Sequence, residues 1–335
     1  MIRTAEHDGL QIAYELLNDR RADATGEPLL LIMGHLGQMV GWPTGFCTEL
    51  TARGFDVARF DNRDFGLSGR VADGPQQSRI GQLLHPRVAY RLDDMVGDTL
   101  SVLDDLGWSS AHLVGISMGG MIAQRLAVTH PDRVRSLTSI MSTPSPRIGK
   151  IRRRTLVAMV RLGKQQGRPA SADDVLQSAI AFSAITGSPG YPIDIETLTE
   201  TIEQSLARDP DPFGFAGSAA GARQRAAIRT SGDRRRELAG VRAPTLVVHG
   251  DRDVMIRPAG GRATATAIPH ARLVRYPGMG HDLPRALWPA IADEIAATAG
   301  VFVASSAAPG SANQDSLANV RAVSDVDAKG GVHAD

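Results

Sequence analysis

Short apolar runs alternate along the chain with stretches whose apolar residues recur at helical spacing. The runs Leu29–Met33, Asp56–Phe60, His112–Val114, Leu137–Ile140, Thr245–Val248 and Arg272–Tyr276 are each followed by turn residues and then by a helix-like pattern. Leucine-rich and β-branched runs of this length suit strands covered on both faces, and their alternation with helices predicts a parallel sheet with crossover helices. One crossover is predicted over Leu92–Leu106, where Met95, Val96, Leu100, Leu103 and Leu106 are helically spaced and Asp93 and Asp94 complement the helix dipole. Another starts near Met118 and stops before Pro131, and a last one covers about Pro289–Thr298, with Ile291 and Ile295 on one face.

The alternation breaks between 144 and 238. That segment is helical and polar in pattern, with Pro/Gly-rich joints at Ser188-Pro189-Gly190 and Asp209-Pro210-Asp211-Pro212, and it predicts a helical lid inserted into a core made of 1–143 and 239–303. Residues 304–335 contain no Phe, Tyr or Trp and cannot bury enough surface to offset their ordering entropy, so a disordered tail is expected there. The basic run Lys150, Arg152, Arg153 and Arg154 precedes apolar Leu156, Val157, Met159, Val160 and Leu162. An ordinary lid helix with a solvated charged end is the expectation, ahead of an approach to anionic lipid or acyl substrate.

Chemistry enters at Gly115-Ile116-Ser117-Met118-Gly119-Gly120, where a buried strand hands over to a helix. A serine hydroxyl is a weak nucleophile at neutral pH and has to be presented to a base. A sharp strand-to-helix turn does this, provided the residues two before and two after the serine are small enough for strand and helix to approach; Gly115 and Gly119 meet that demand. The helix N-terminus then aims free amides, Met118 first, at an oxygen bound above Ser117. Phosphate cradles fail on the letters: a dinucleotide fingerprint needs glycine at the Ser117 position, and a Walker loop needs a Gly-Lys-Ser/Thr ending.

Partners for Ser117 are expected later in the chain, from loops at strand C-terminal ends, in the order acid then histidine. His281, in Pro277-Gly278-Met279-Gly280-His281, is the base candidate. Asp251 and Asp253, in the loop after Thr245–Val248, are the acid candidates; an aspartate directly after glycine, as Asp251 is, commonly bonds its own loop backbone. His112 and His249 sit on strands, where packed and satisfied rings are expected. A second oxyanion donor is sought in Met33-Gly34-His35-Leu36-Gly37, at the amide of His35 or of its neighbour Leu36. Asp61, Arg63 and Asp64 read as a strand-ending turn held by an aspartate–arginine network.

Composition narrows the class further. With 335 residues, 42% of them hydrophobic, the chain can bury a full-sized core, and a net charge of +1 without a basic cluster interleaved with aromatics argues against nucleic acid. A single cysteine, Cys47, excludes an internal disulfide framework and reads as a small buried hydrophobe. No secretory signal or membrane-length apolar run is evident, so a cytoplasmic protein with no integral membrane segment is expected. No zinc motif such as H-E-x-x-H occurs, and no cofactor is expected.

With nucleophile, acid and base in this order, the chain resembles the α/β-hydrolase superfamily from near its N-terminus to about Thr298. More narrowly, Met33-Gly34, Gly41-Trp42-Pro43, Phe60-Asp61-Asn62-Arg63-Asp64 with Gly66 and Ser68, and Pro277-Gly278-Met279-Gly280-His281 look like the aclacinomycin methylesterase group and related bacterial carboxylesterases and lipases. The resemblance implies a doubly wound α/β-hydrolase sheet, Ser117 as nucleophile, Asp253 as acid, His281 as base, and amides of His35 and Met118 as oxyanion hole. His35 departs from that group, where glycine is usual, and the lid shows little similarity. Serine at the elbow argues against the carboxylate-nucleophile chemistry of dehalogenases and epoxide hydrolases. Cleavage of a small-molecule or acyl ester through an acyl-enzyme is the leading expectation. Thioester or lactone hydrolysis, perhydrolysis, and ligand binding with little turnover are the alternatives.

Overall fold

The computed structural model describes residues 1–17, 26–72, 88–166, 171–209 and 219–301. The segment expected to be a tail, 304–335, lies outside them. Eight strands form one sheet: β1 (Ile2–His7), β2 (Leu10–Leu16), β3 (Glu27–Ile32), β4 (Phe55–Phe60), β5 (Ala111–Ile116), β6 (Val134–Ile140), β7 (Thr245–Gly250) and β8 (Arg272–Tyr276). Their order is β1-β2-β4-β3-β5-β6-β7-β8, antiparallel at β1–β2 and β2–β4 and parallel from there on. All six expected strands are present: β4 to β7 extend one to three residues beyond the expected ends, β3 begins two residues earlier and stops one short of Met33, and β8 matches.

Strand β3 shows why its run is unbroken. Leu30 and Ile32 pack into a core that includes Met95, Leu103, Ile122 and Leu126, whereas Leu29 and Leu31 pack on the opposite face with Phe46, Leu50, Ile291 and Ile295. Alternate residues serve alternate faces, so both faces of β3 take apolar residues. The first layer holds α2 (Leu92–Asp105) and α3 (Met118–Thr129); the second holds α1 (Thr44–Ala52) and α10 (Trp288–Ala299). Between β7 and β8 runs α9 (Ala259–Ala267).

The N-terminal hairpin was not among the expected strands, because β1 is mostly solvent-exposed and carries little apolar signal. Its turn was legible nonetheless. Asp8 and Gly9 both have positive φ, 52° and 74°, which is the Asp-Gly pairing favoured by two-residue hairpins.

Between β6 and β7 the chain runs through α4 (Arg153–Gln166), α5 (Ala172–Thr186), α6 (Ile195–Arg208), α7 (Ala219–Thr230) and the short α8 (Arg235–Leu238). Arginines tie this insertion to the loop after β4. Arg208 donates to Asp61 at 2.5 Å, Arg223 grips both oxygens of Asp64 at 2.8 Å, and Arg70 pairs with Asp209. Arg63 stays within the core, where it grips Asp98 at 2.6 and 2.7 Å. The aspartate–arginine network therefore extends beyond a local turn: Asp61 and Asp64 are buried sockets for the insertion.

Candidate active site

Strand β5 ends at Ile116, and α3 begins at Met118. Ser117 between them has φ 53° and ψ −115°, a conformation that side chains rarely adopt and that must be held from outside. It is held on three sides. The Ser117 amide donates to the Ile140 carbonyl at 2.9 Å, and the Ser117 carbonyl accepts from Ser142 Oγ at 2.7 Å and from the Met121 amide at 3.3 Å. The flanking glycines are required by contact: a Cβ on Gly115 would lie 2.3 Å from the Gly119 carbonyl oxygen, and one on Gly119 would lie 2.0 Å from that of Ile32. Gly120 is constrained too, by Ser142 at 2.6 Å.

His281, five residues beyond the edge strand β8, reaches Ser117 across the ends of β6 and β7. Its Nδ1–H donates to Asp253 Oδ2 at 2.8 Å, which leaves the Nε2 lone pair facing the Ser117 hydroxyl at 3.2 Å. Asp253 is 3% exposed, and its other oxygen accepts the amides of Met255 and Ile256 at 2.8 and 2.9 Å. Burial opposes its charge, but attraction to His281 and hydrogen bonds from His249 and His281 outweigh that penalty and hold the carboxyl below the usual aspartate range. Asp251 is not in contact with the imidazole. It accepts the Gly278 amide at 2.8 Å, so it braces the neighbouring loop rather than its own.

The loop after β3 passes beside the elbow, and a Cβ on Gly34 would lie 3.3 Å from Ser117 Cβ. Asn62 Nδ2 anchors it through the Met33 carbonyl at 2.9 Å. The Leu36 amide donates to Gln224 Oε1 at 3.0 Å, whereas no described residue accepts from the His35 amide. Met118, the first residue of α3, has no intrahelical acceptor for its amide. The His35 ring turns away to donate Nε2–H to the Gly221 carbonyl at 3.2 Å, and burial lowers its pKa to about 4.

These features are those of one known family. A model described as the alpha/beta hydrolase fold matches residues 27–284. The chain belongs to the α/β-hydrolase family. Two rhodomycin D methylesterases are similar over most of their lengths: DauP of a Streptomyces species, 30% identical over 82% of this chain and 91% of its own, and DnrP of Streptomyces peucetius, 29% identical over 84% and 94%. Among solved structures, the enol-lactonase of Burkholderia xenovorans superposes with TM-score 0.62 at 21% identity, over 88% of this chain and 99% of that one. The esterase RhEst1 from a Rhodococcus species gives 0.62 at 19%, over 89% and 98%. At these identities the structural likeness shows the fold.

In this α/β-hydrolase several site residues carry no motif. The His281 amide donates to the Thr186 carbonyl of α5 at 2.9 Å, and a Cβ on Gly280 would lie 2.0 Å from the Gly187 carbonyl oxygen, so the histidine loop is docked on the insertion. Gln224 and Ser142 act likewise on the His35 loop and on Ser117, and single polar residues of this kind are recognisable only through their contacts. His249 was expected to be packed and satisfied. Its Nε2–H does donate to the Ile256 carbonyl at 2.7 Å, but it also lies 3.4 Å from Asp253 Oδ2, and Nδ1 is buried without a partner. Cys47 is buried as expected, with its thiol pushed up to about 12 by burial. Among the described residues no group of His, Cys, Asp and Glu is arranged to hold a metal ion, and no helix is long and apolar enough to cross a membrane.

Proposed function

We propose that this α/β-hydrolase is a serine carboxylesterase in which Ser117, His281 and Asp253 form the catalytic triad. The observation that carries the reading is the continuous line of contacts from Asp253 Oδ2 through the imidazole to Ser117 Oγ, 2.8 and 3.2 Å long. His281 takes the Ser117 proton as Oγ attacks the ester carbonyl, and then gives it to the departing alkoxide, leaving an acyl-enzyme. Water, deprotonated by the same imidazole, adds to the acyl carbonyl and releases acid and free serine. Asp253 fixes the Nδ1–H tautomer and offsets the imidazolium charge.

The oxyanion of each tetrahedral intermediate is bound by the amides of Met118 and His35. This assignment is supported by the position of Met118 at the start of α3 and by the commitment of the Leu36 amide to Gln224. The segment 144–238 acts as the lid, since it holds both the His35 loop and the His281 loop. The two methylesterase relatives support a methyl ester as substrate, and the 3-oxoadipate enol-lactonase 2 of Acinetobacter baylyi, 28% identical over 55% of this chain, supports lactones as neighbouring substrates.

The test is pre-steady-state hydrolysis of a chromogenic short-chain ester alongside a panel of methyl esters, thioesters and lactones. The wild type releases a burst equal to the enzyme concentration, and Ser117→Ala loses the burst together with about 10⁴-fold or more of kcat. Turnover that survives in Ser117→Ala refutes the reading.

A further inference from the structure

Three arginines of the insertion lie near the loops that follow β3 and β4, and two of them are already engaged. Arg208 is held by Asp61 and Arg223 by both oxygens of Asp64. Arg225, two residues further along α7, is half-buried yet has no carboxylate or carbonyl acceptor among the described residues. Residues four apart share a helix face, so Arg225 projects beside Gly221, whose carbonyl receives the His35 ring at 3.2 Å. His35 follows Gly34, which packs against Ser117. The guanidinium is thus close enough to the His35 ring for its charge to disfavour protonation there, and burial has stripped part of its own water.

A partly desolvated cation with no counter-charge is costly unless an anion joins it. We propose that Arg225 is the recognition cation for a free carboxylate on the substrate, which makes the substrate class esters that carry a second, unesterified acid group. This rests on ester hydrolysis at Ser117. One guanidinium fork matches the single charge and the two coplanar oxygens of a carboxylate. A phosphate monoester would leave charge uncompensated, because Arg208 and Arg223 are held by their aspartates and His35 is neutral above about pH 4.

The experiment measures proton release from monomethyl succinate, glutarate and adipate against methyl butyrate, valerate and hexanoate, pairs that differ only in the distal carboxylate. For at least one chain length the wild type favours the half-ester in kcat/KM, chiefly through KM, and added salt weakens that preference. In Arg225→Met the ratio of half-ester to neutral ester falls about 10- to 100-fold, whereas Arg225→Lys, which keeps the charge but not the fork, retains only part of it. A ratio that is the same in the wild type and Arg225→Met overturns the proposal; should Arg225→Met fail to fold, a wild-type ratio insensitive to salt overturns it instead. Ser117-dependent turnover of the neutral esters with no preference for any half-ester removes the inference and leaves the hydrolase standing. Turnover of neither series, or turnover independent of Ser117, removes both.

Discussion

The sheet and the insertion between β6 and β7 are held together by different physics, although both reach the candidate site. In the sheet the constraint is steric. α3 buries Met118 through Ala123 and then Gln124, Leu126 and Ala127, and its glycines sit where a single carbon has no room. In the insertion the constraint is sparser and more polar. α4 buries only Thr155 and α5 only Val175 and Thr186, and the grip on the core comes from Arg208, Arg223 and Gln224, with Ala227 and Leu238 in the apolar core and one close backbone approach of Gly187 to Gly280. A backbone packed this closely fixes where Ser117 stands; a clamp of a few side chains fixes what surrounds it. Changes in the first region should therefore abolish chemistry or folding, and changes in the second should tune them.

The largest effect is expected within the proposed triad. Asp253→Asn presents an amide N–H to the imidazole in place of the acceptor that sets the His281 tautomer, and kcat should fall about 10⁴-fold, while Asp251→Asn keeps a carbonyl oxygen for the Gly278 amide and should change both stability and turnover little. Steady-state kinetics of the two variants side by side checks this. Crippled turnover in Asp251→Asn with Asp253→Asn active would reverse the assignment.

Next comes the steric limit itself. Gly119→Ala places a methyl 2.0 Å from the Ile32 carbonyl oxygen, backbone against backbone with no flexible side chain to yield. The expected loss is about 3 kcal/mol or more, read as the drop in the urea midpoint. An unchanged midpoint would mean that β3 and α3 can separate without cost, and that the elbow is not held as described.

The same contrast explains what the sequence revealed. The elbow was legible because its demands fall on neighbours in the chain: glycines at fixed offsets around Ser117, a buried strand before and a helix after. The sheet was legible because strands covered on two faces are mostly apolar, even though β6 buries Ser136, Thr138 and Ser139. The β1–β2 hairpin lacks that cover and was missed despite its Asp8-Gly9 turn. α1 and α9 were missed as well; α9 reads Ala259-Gly260-Gly261 at its start, the opposite of a helix signal, because Gly260 and Gly261 are needed for close approach to Ser142, Thr143 and His249. Arg208, Arg223, Gln224 and Thr186 were not legible because each meets a partner about 95 to 190 residues away, a relation that no local pattern encodes.

His35 lies on the seam between the two regions, and its ring provides a titration of that seam. Burial holds its pKa at about 4 in the folded protein, against 6.5 for a free ring. On acidification the unfolded chain takes up the proton first, so stability is lost as pH falls from about 6.5 and the loss levels off below about 4. The difference reaches about 2 kcal/mol near pH 4.5. His35→Gln keeps an N–H donor for Gly221 and has nothing to titrate. Unfolding free energies at neutral and acid pH should therefore converge in the variant by about that amount, and an equal acid loss in both proteins would show that the ring is hydrated and the seam open.

The smallest effect separates the two regions most cleanly. Gly163 lies inside α4, and an added Cβ would meet nothing within 4 Å, so Gly163→Ala is the counterpart of Gly119→Ala with the steric penalty removed. Only the conformational entropy of the helix remains, worth about 0.5 to 1 kcal/mol in favour of alanine. Because α4 buries little, it belongs among the segments that open locally before the whole molecule unfolds. Hydrogen exchange of α4 amides should then slow about two- to fivefold, with no change in the amides of β5 and α3 or in the global midpoint. If protection rises in β5 and α3 as well, the arginine clamps couple the insertion to the sheet tightly enough that the two unfold together, and the division between a rigid elbow and a tunable surround no longer holds.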